Sequence, residues 1–467
     1  MNTIVEPSIL RGDARALPLA DNSVDLVVTS PPYFGLRSYQ DGGRHYAGQL
    51  GAEATPGEYI ESLLACTREM IRVLTPSGSL FINLGDKYTG TGRRSHARES
   101  LPNPGVTRAA PRPPRDRYRH VVRDIAPAKS LMGIPWRYAL RCIDELGLIL
   151  RAEIIWSKPN GMPESVRDRV RRSHETWFHF TLQPRYYSAV DELRKPHAPS
   201  SLARATRAYH AGDRLTPGSS NTLNPTQFCN PAGRLPGSVW EIAPHALRVP
   251  AELGVDHFAS FPMEWPRRLI LGWSPHAVCT RCGQGRRRVP TGFGLDMSRQ
   301  QTRRAIELAE QASLCPRHVN ALRSVGLSDT CRGAAIQTGA GNNAADTLRL
   351  AAHARHVLGG YAREFLQRHP TDYADACNCA DTTAPTRPAV VLDPFGGTRT
   401  TALVASVHGR LGISLDASAD YCRLATWRVH DPRQRARALG DGPRNSAGQV
   451  HGDQVDDQQR TGRRHIA

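Results

Sequence analysis

The feature that most constrains the fold is a pair of apolar strand patterns, each followed by a stiff or glycine-rich turn. The first strand is predicted over residues 24–28, and an amphipathic helix over 56–74 and a strand over 79–84 follow it. The second strand is predicted over residues 389–392, and a helix and a strand over 410–413 come after its turn. This alternation of strands and helices predicts an α/β fold.

The turn after the first strand contains a serine, two prolines and a tyrosine, namely Ser30, Pro31, Pro32 and Tyr33. Because proline fixes φ, this turn is stiff, and it can hold the Ser30 side chain and the Pro31 carbonyl as converging acceptors beside an aromatic ring. Two such acceptors suit a planar substrate with an exocyclic amino group, and they favour the pyramidal nitrogen that develops during its reaction. A turn without chemical function is the alternative.

The turn after the second strand runs from Asp393 to Thr401 and contains two adjacent glycines. It lacks the Gly-Lys-Ser/Thr sequence of a phosphate loop, which disfavours a nucleoside triphosphate. Glycines allow close approach of a ligand to the backbone, and ligands bind at the carboxyl ends of parallel strands. The acid Asp393, with a second acid at Asp416 after the next strand, therefore favours a nucleoside-type ligand.

Composition indicates the class of partner. The 467 residues include 61 Lys and Arg against 43 Asp and Glu, a formal charge of +18, which favours nucleic acid as the partner. An arginine-rich composition without a binding role is the alternative. No apolar run approaches the roughly 18 residues of a membrane span, and the first residues lack the apolar core of a signal peptide. We therefore expect a cytoplasmic protein without membrane contact.

Changes in composition divide the sequence into six segments. We expect residues 1–88, 128–275 and 388–430 to form the core. Residues 89–127 are expected to form a basic flexible loop, 276–387 a cysteine-containing insert and 431–467 a disordered tail.

Two close pairs of cysteines flank the predicted insert. Cys279 and Cys282 form a Cys-x2-Cys pair, while Cys377 and Cys379 form a Cys-x-Cys pair. Four thiolates from two such pairs can close a tetrahedral, structural zinc site and tie the insert at its base. Free thiols are the alternative, and Cys315 with His318, or Cys331, could compete for the metal.

The two turns together resemble one family, the S-adenosylmethionine-dependent DNA methyltransferases that modify exocyclic amino groups at N4 of cytosine or N6 of adenine. After the roles that the resemblance implies, we call Ser30 to Tyr33 the catalytic turn and Asp393 to Thr401 the cofactor turn. The catalytic turn comes first in the sequence, an order that resembles the beta-type, permuted order of motifs. Further resemblance lies in Gly12 to Ala14, in residues 153–160, in Arg172 to Glu175 and in residues 239–242 and 257–262. The resemblance implies a Rossmann-like methyltransferase sheet, in which residues 1–88 form the catalytic half, 128–275 continue the core with DNA-recognition segments and 388–430 form the cofactor-binding half. The zinc-tied insert is added by the spacing of the cysteines.

The same resemblance implies roles for individual residues. Ser30, Pro31, Pro32 and Tyr33 would bind and activate the flipped base, and His174 would have an orienting role. S-adenosylmethionine would be surrounded by Asp13, Phe258, Pro262, Asp393, Pro394, Phe395, Gly396, Gly397, Thr398, Thr400 and Asp416. Two positions depart from the family pattern: Arg399 replaces a glycine of the cofactor turn, and Ser414 stands where an acid is expected, so that Asp416 would bind the ribose instead.

The resemblance therefore implies a site-specific enzyme that methylates N4 of cytosine in double-stranded DNA, with a companion restriction endonuclease as a further expected partner. The serine of Ser-Pro-Pro-Tyr favours cytosine, because adenine enzymes of the family more often have Asp there. Methylation of adenine N6 is the close alternative. An RNA or protein-amide methyltransferase, and a non-catalytic zinc-containing DNA-binding protein with a decayed cofactor site, are alternatives from other classes.

Overall fold

The computed structural model describes residues 4–36, 39–41, 44–45, 48–89, 126–161, 163–201, 233–245, 247, 249–254, 261–295, 297, 300–325, 344–366, 369–377, 379 and 383–440. The chain divides into two compact units, one formed by Met1–Val278 with Thr386–Ala467 and the other by Cys279–Pro385. Most of the predicted basic loop at 89–127 lies outside the described residues, as does the predicted tail beyond residue 440.

Fourteen strands are present in the described part of the chain. In chain order they are β1 (Ser8–Arg11), β2 (Val24–Thr29), β3 (Gln40–Asp41), β4 (Arg44–His45), β5 (Leu74–Leu84), β6 (Ile149–Ser157), β7 (His174–Thr181), β8 (Val239–Glu241), β9 (Ala277–Cys279), β10 (Arg287–Gly294), β11 (His369–Ala376), β12 (Thr386–Pro388), β13 (Val390–Asp393) and β14 (Leu411–Asp416).

The α-helices of the same residues are α1 (Pro56–Val73), α2 (Ile134–Asp144), α3 (Glu264–Trp273), α4 (Gln300–Gln311), α5 (Pro316–Val325), α6 (Ala344–Leu358), α7 (Ala362–Leu366), α8 (Thr400–Val407), α9 (Ala419–His430) and α10 (Pro432–Leu439). Short 3-10 helices cover Val190–Leu193, Ala251–Leu253 and Gly359–Tyr361.

The first unit is a mixed α/β structure with a large central sheet. Eight strands lie in the order β1-β14-β13-β2-β5-β7-β6-β8. Neighbouring strands are parallel except at β7, which is antiparallel to both β5 and β6. Because β1, β14, β13 and β2 run in one direction, their carboxyl ends lie along one edge of the sheet, the usual position of a ligand site in α/β proteins.

The apolar pattern explains the position of β2 at the centre of this sheet. All six of its residues are buried, as expected for a parallel strand covered on both faces. Helix α1 begins with a capping box, in which the Thr55 side chain accepts from the Glu58 N–H and the Glu58 side chain accepts from the Thr55 N–H, satisfying two donors at the helix start. Apolar residues on its inner face, including Ile60, Leu63, Leu64 and Met70, pack into a core that also contains Leu80 and Ile82 of β5.

The prediction of a disordered tail from residue 431 onward is wrong in its first part, because Pro432–Leu439 forms helix α10. Asp431 caps this helix by accepting from the Gln434 N–H, and Gly440 ends it in the left-handed conformation. The segment has few apolar residues, but Ala438 is fully buried in a core with Val404 and Val429. Capping and one buried alanine therefore hold a helix that the apolar pattern did not indicate.

The second unit, Cys279–Pro385, contains the antiparallel pair of strands β10 and β11 and, between them in the sequence, the helices α4 to α7. Its buried cores are small and rich in alanine: one includes Ala305, Ala309, Leu322, Ala354 and Leu358, and the other contains Ala321 and Ala351. None of the helices in the described residues combines the length and hydropathy needed to cross a bilayer.

Candidate active site

A cavity of about 360 Å³ opens in the first unit where the parallel strands end. It is lined by residues at or just after the ends of four of these strands: Arg11 and Gly12 at β1, Ser30 at β2, Pro394 at β13 and Asp416 at β14. This volume falls within the range of small-ligand pockets, which is roughly 300–1,000 Å³. The sheet therefore brings the two predicted turns to one cavity.

Seven of the residues predicted from sequence line this cavity: Asp13, Ser30, Pro32, Pro394, Phe395, Gly397 and Asp416. The remaining predicted residues of the two turns, Pro31, Tyr33, Asp393, Gly396, Thr398 and Thr400, do not line it. Pro262 also does not line it, and Phe258 lies outside the described residues.

The carboxylate of Asp393 points into the protein rather than into the cavity. The side chain is almost fully buried. Its Oδ1 accepts from the Thr29 hydroxyl at 2.6 Å and from the Phe395 N–H at 3.2 Å, and its Oδ2 accepts from the Thr401 hydroxyl at 3.0 Å. Burial raises the pKa of Asp393 to about 6. Asp393 therefore links the cofactor turn to β2 and to the start of α8, and only its neighbours Pro394 and Phe395 face the cavity.

A buried arginine from helix α9 fixes the second half of the cofactor turn. Arg428 donates through Nη1 to the Thr398 hydroxyl at 2.7 Å, to the Thr398 carbonyl at 3.1 Å and to the Thr400 hydroxyl at 2.9 Å. Both threonines are buried. Their hydroxyls thus serve the structure of the turn, and Gly397 presents its backbone to the cavity.

Asp416 places an acid at the cavity wall. Its Oδ2 accepts from the Gly397 N–H at 2.9 Å and its Oδ1 accepts from the Ser418 N–H at 2.9 Å. Burial raises the pKa of this carboxyl group above its usual value. A carboxylate offers about four acceptor positions, so Asp416 retains acceptor capacity for a hydroxyl group. Ser414, the position at which the family pattern expects an acid, is fully buried in β14 and does not line the cavity.

Asp13, in the turn after β1, is held by a neighbouring arginine. Its carboxylate accepts from the Arg15 backbone N–H at 2.9 Å and from Arg15 Nη2 at 2.7 Å. These bonds lower the pKa of Asp13. Because Asp13 is half-exposed, it stays charged at neutral pH beside the cavity.

Arg399 occupies the glycine position of the family pattern at an energetic cost. It has φ 62°, in the left-handed region, where a residue with a side chain is strained by roughly 1–2 kcal/mol. Its side chain is fully buried, and none of its guanidinium nitrogens has a hydrogen-bond partner within 3.5 Å among the described residues. Burial lowers its pKa to about 10, partly offset by interaction with Cys422. The turn nevertheless keeps the left-handed conformation that a glycine would supply.

A hydrogen-bond chain through Asn83 joins the catalytic turn to β5 and β7. Asn83, at the end of β5, donates through Nδ2 to the Thr176 carbonyl at 3.2 Å, which directs its Oδ1 toward the catalytic turn. The Ser30 hydroxyl donates to that Oδ1 at 3.2 Å. Since the hydroxyl hydrogen is used in this way, the lone pairs of Ser30 remain available to accept from an amino group.

The Tyr33 side chain is positioned at two points. Its hydroxyl lies near two acceptors, and its ring lies close to the backbone of Gly85. Its hydroxyl lies 2.6 Å from Asn83 Oδ1 and 2.9 Å from Glu175 Oε2. Burial and Glu175 raise the pKa of Tyr33 far above its usual value, so it remains protonated. A Cβ at Gly85 would lie 2.6 Å from Tyr33 Cε2, so only glycine allows the ring this position. Glu175 is itself paired with Lys158, which lies 4.2 Å above the ring of Trp156.

The two proline carbonyls of the turn differ. The Pro32 carbonyl accepts from the Tyr59 hydroxyl at 2.8 Å. The Pro31 carbonyl accepts no hydrogen bond from the residues that the structure describes. Ser30 lines the cavity and Pro31 does not, so the expectation that these two acceptors converge on a ligand stays a prediction.

The sequence did not identify Asn83 or Glu175 as site residues, although Glu175 lies in a segment used for the family resemblance. His174, for which the resemblance implied an orienting role, is exposed, and the adjacent Glu175 contacts the Tyr33 hydroxyl. Tyr39, Gln49, Cys66 and Tyr421 also line the cavity. Two signals could have indicated Asn83 and Glu175: Asn83 lies at the end of a buried strand, and Glu175 is an acid beside the aromatic residues of a strand.

The four predicted metal ligands, Cys279, Cys282, Cys377 and Cys379, lie in the second unit. Their sulfur atoms all lie within 4.8 Å of one another.

Comparison with known proteins gives related sequences of one kind. A family model for N6/N4 methyltransferases, described as DNA methylase, matches residues 24–277. The type II methyltransferase M.XycI of Xanthomonas campestris pv. cyanopsidis is 37% identical over 240 residues, which cover 48% of this chain and 73% of that protein. The type II methyltransferase M.SmaI of Serratia marcescens is 36% identical over 236 residues, which cover 49% of this chain and 76% of that protein. The solved structure of the cytosine-N4-specific PvuII DNA methyltransferase aligns with a TM-score of 0.43 at 15% identity, over 94% of this chain and 92% of that one.

Proposed function

The chain belongs to the N6/N4 DNA methylase family, whose methyl donor is S-adenosylmethionine, and from this premise we propose that it methylates N4 of cytosine at a specific site in double-stranded DNA. The observation that carries this proposal is the convergence of Ser30 with the cofactor turn at one cavity. The catalytic turn precedes the cofactor turn in the sequence, which supports the beta-type order of motifs.

The cavity suits the cofactor in size and in polarity. Asp416 has acceptor capacity for the ribose hydroxyls, the Gly397 backbone and Phe395 line the adjacent wall, and Asp13 supplies a negative charge for the amino group of the methionine part. When bound, S-adenosylmethionine supplies an electrophilic methyl group on its sulfonium. The residues of the chain bind and orient it, and the contact of Asp393 with Thr29 keeps the cofactor turn beside the catalytic turn.

Ser30 and the Pro31 carbonyl would hold the amino group of the target base. The lone pair of such an amine is delocalised into the ring, and two acceptors that bind its hydrogens favour the pyramidal form in which the lone pair is available. This atom is enclosed in duplex DNA, so the base must leave the helix, and the excess of Lys and Arg over Asp and Glu would favour contact with the phosphate backbone meanwhile. The choice of N4 of cytosine over N6 of adenine rests on the serine at position 30.

The test is transfer of a radiolabelled methyl group to unmodified duplex DNA, followed by digestion and separation of the nucleosides. We expect the label in N4-methyldeoxycytidine, with Ser30→Ala as the control that lowers its rate of formation about 10²–10³-fold. Label in N6-methyldeoxyadenosine would replace cytosine by adenine as the target. Label in RNA or protein but not in DNA would refute the proposed substrate, and absence of both transfer and cofactor binding would favour a non-catalytic DNA-binding protein.

The related proteins are type II methyltransferases, and we propose that this chain also acts within a restriction–modification pair, with a companion endonuclease that reads the same sequence.

The arginines near Glu164 are candidates for phosphate contact. Arg169 pairs with Glu164, however, and its guanidinium stacks 3.7 Å from the ring centre of Tyr88, so this arginine would have to exchange protein partners for phosphate.

A further inference from the structure

The cysteine cluster of the second unit has the dimensions of a closed metal site. The sulfur atoms of Cys279 and Cys379 are 3.8 Å apart, and all four sulfurs lie within 4.8 Å of one another. A zinc ion bound by four sulfurs at about 2.3 Å requires sulfur–sulfur distances of about 3.8 Å. A disulfide would need about 2.05 Å, and all four cysteines are free thiols.

The first pair of cysteines lies in a tight turn that points both sulfurs to one place. The Cys279 N–H donates to the Gln284 carbonyl at 2.9 Å, and the Gly283 N–H donates to the Cys279 carbonyl at 2.9 Å. Gly283 has φ +69°, which glycine adopts without strain. The turn therefore brings the Cys282 sulfur within 4.8 Å of the Cys279 sulfur.

The position of the cluster explains what a metal would hold together. Cys279 lies where the chain enters the second unit, and Cys377 and Cys379 lie shortly before it leaves at Pro385. The two segments also meet through the Thr280 N–H and hydroxyl, which donate to the Pro385 carbonyl at 3.0 and 2.9 Å. The cores of this unit consist largely of alanines, and small units with limited apolar burial commonly depend on a structural metal.

We propose that Cys279, Cys282, Cys377 and Cys379 bind one structural zinc ion that closes the base of the Cys279–Pro385 unit. Each thiol loses its proton as its zinc–sulfur bond forms, so binding releases up to four protons and involves no redox change. Four sulfur ligands leave no open coordination position. The zinc therefore has a structural role and takes no part in methyl transfer.

Cys315 provides a matched control within the same unit. Its sulfur lies 3.2 Å from His318 Nδ1, so this pair carries two of the ligand types that zinc prefers. Among the described residues, however, these two do not belong to a cluster of three or more metal-ligating side chains. Substitution at Cys315 should therefore leave the metal content unchanged.

The test is metal analysis of the full chain purified after expression in zinc-supplemented medium. We expect about one zinc per chain in the wild type and in Cys315→Ser, and a loss of most of it in Cys282→Ser and Cys379→Ser. Cys282 is exposed, so this substitution removes a ligand without disturbing a packed core. Zinc well below one per folded chain, or equal loss in Cys315→Ser, would overturn the proposal.

A second measurement uses the wild type alone and does not depend on the folding of variants. Replacement of the zinc by cobalt should give the intense visible bands of tetrahedral cobalt and a thiolate-to-metal charge-transfer band. Octahedral cobalt spectra, or a Cys279–Cys379 disulfide found by mass spectrometry in the freshly purified protein, would contradict a four-thiolate site.

Discussion

The Thr29 hydroxyl donates a hydrogen bond of 2.6 Å to Oδ1 of Asp393. Thr29 ends β2, from which the catalytic turn begins, and Asp393 ends β13, from which the cofactor turn begins. These strands are adjacent in the sheet although the two residues are 364 positions apart. One hydrogen bond inside the protein therefore sets the two turns side by side.

The buried carboxyl of Asp393 should make stability depend on pH. Its folded-state pKa of about 6 lies above the usual 3.8, so the folded protein binds a proton that the unfolded chain releases between these values. The associated stabilisation is present below about pH 4 and is lost as the pH rises through 6, by roughly 3 kcal/mol at most. Asp393→Asn should remove this loss, so that the variant gains stability relative to wild type over this range.

The measurement for Asp393 is urea unfolding at several pH values between 4 and 8. Asp144→Asn, at an exposed position on α2, is the control and should follow the wild-type curve. A difference between Asp393→Asn and wild type that does not change with pH would argue against a titrating Asp393.

Ser30→Ala should impair catalysis while leaving the cofactor site intact. The variant lacks one of the two acceptors for the target amine, and loss of one such group typically lowers kcat by about 10²–10³-fold. Single-turnover methyl transfer checks the rate, and calorimetric titration with S-adenosylmethionine should give an affinity close to that of wild type. A rate within a few fold of wild type would remove Ser30 from the mechanism.

Glu175 should act through Tyr33 as a positioning residue. Glu175→Ala removes an acceptor of the Tyr33 hydroxyl and leaves Lys158 without its partner, so kcat should fall about 10²-fold. Glu175→Gln keeps an acceptor and should fall much less. Because Tyr33→Phe removes the same hydrogen bond, the Tyr33→Phe/Glu175→Ala double variant should be little worse than the poorer single variant. Multiplying effects would show that the two residues act independently.

Asp416→Asn should weaken cofactor binding. The substitution removes the charge that would accept from the ribose hydroxyls, and hydrogen bonds to a charged group contribute about 1.5–3 kcal/mol. The Kd for S-adenosylmethionine should therefore rise about 10- to 100-fold in calorimetric titration, with Asp144→Asn unchanged. An unaltered Kd would leave Asp416 with only its role in holding Gly397 and Ser418.

Arg399 allows backbone strain to be separated from the effect of its buried side chain. Arg399→Ala removes the guanidinium but keeps a Cβ at positive φ. Arg399→Gly removes the guanidinium and also the backbone strain. The glycine variant should be more stable than the alanine variant by about 1 kcal/mol in urea unfolding. Equal stability of the two would mean that the loop relaxes away from the left-handed conformation.

Local sequence patterns predicted much of the fold. The strand predicted over 24–28 is β2, Val24–Thr29, and the helix predicted over 56–74 is α1, Pro56–Val73. The spacing of apolar residues is a property of a single strand or helix, so these predictions required only residues that are close together in the sequence. Helix α10 was missed because caps and Ala438 stabilise it rather than an apolar face.

The site was less predictable, because its contacts join distant parts of the sequence. Asp393 was expected to contact the cofactor, but Thr29 and Thr401 occupy its oxygens. Asn83 and Glu175 meet Tyr33 across 50 and 142 positions, and no local pattern shows which side chains the sheet will bring together.

The order of the strands also has a consequence for synthesis on the ribosome. Strand β2 is made early, but its neighbour β13 and the adjacent β14 are made more than 350 residues later. Until they emerge, one side of β2 has no pairing partner, and an unpaired strand edge promotes aggregation. Such long-range pairing also slows folding. We therefore expect the methylase to become active only after translation has passed β14, with chaperones protecting the open edge meanwhile.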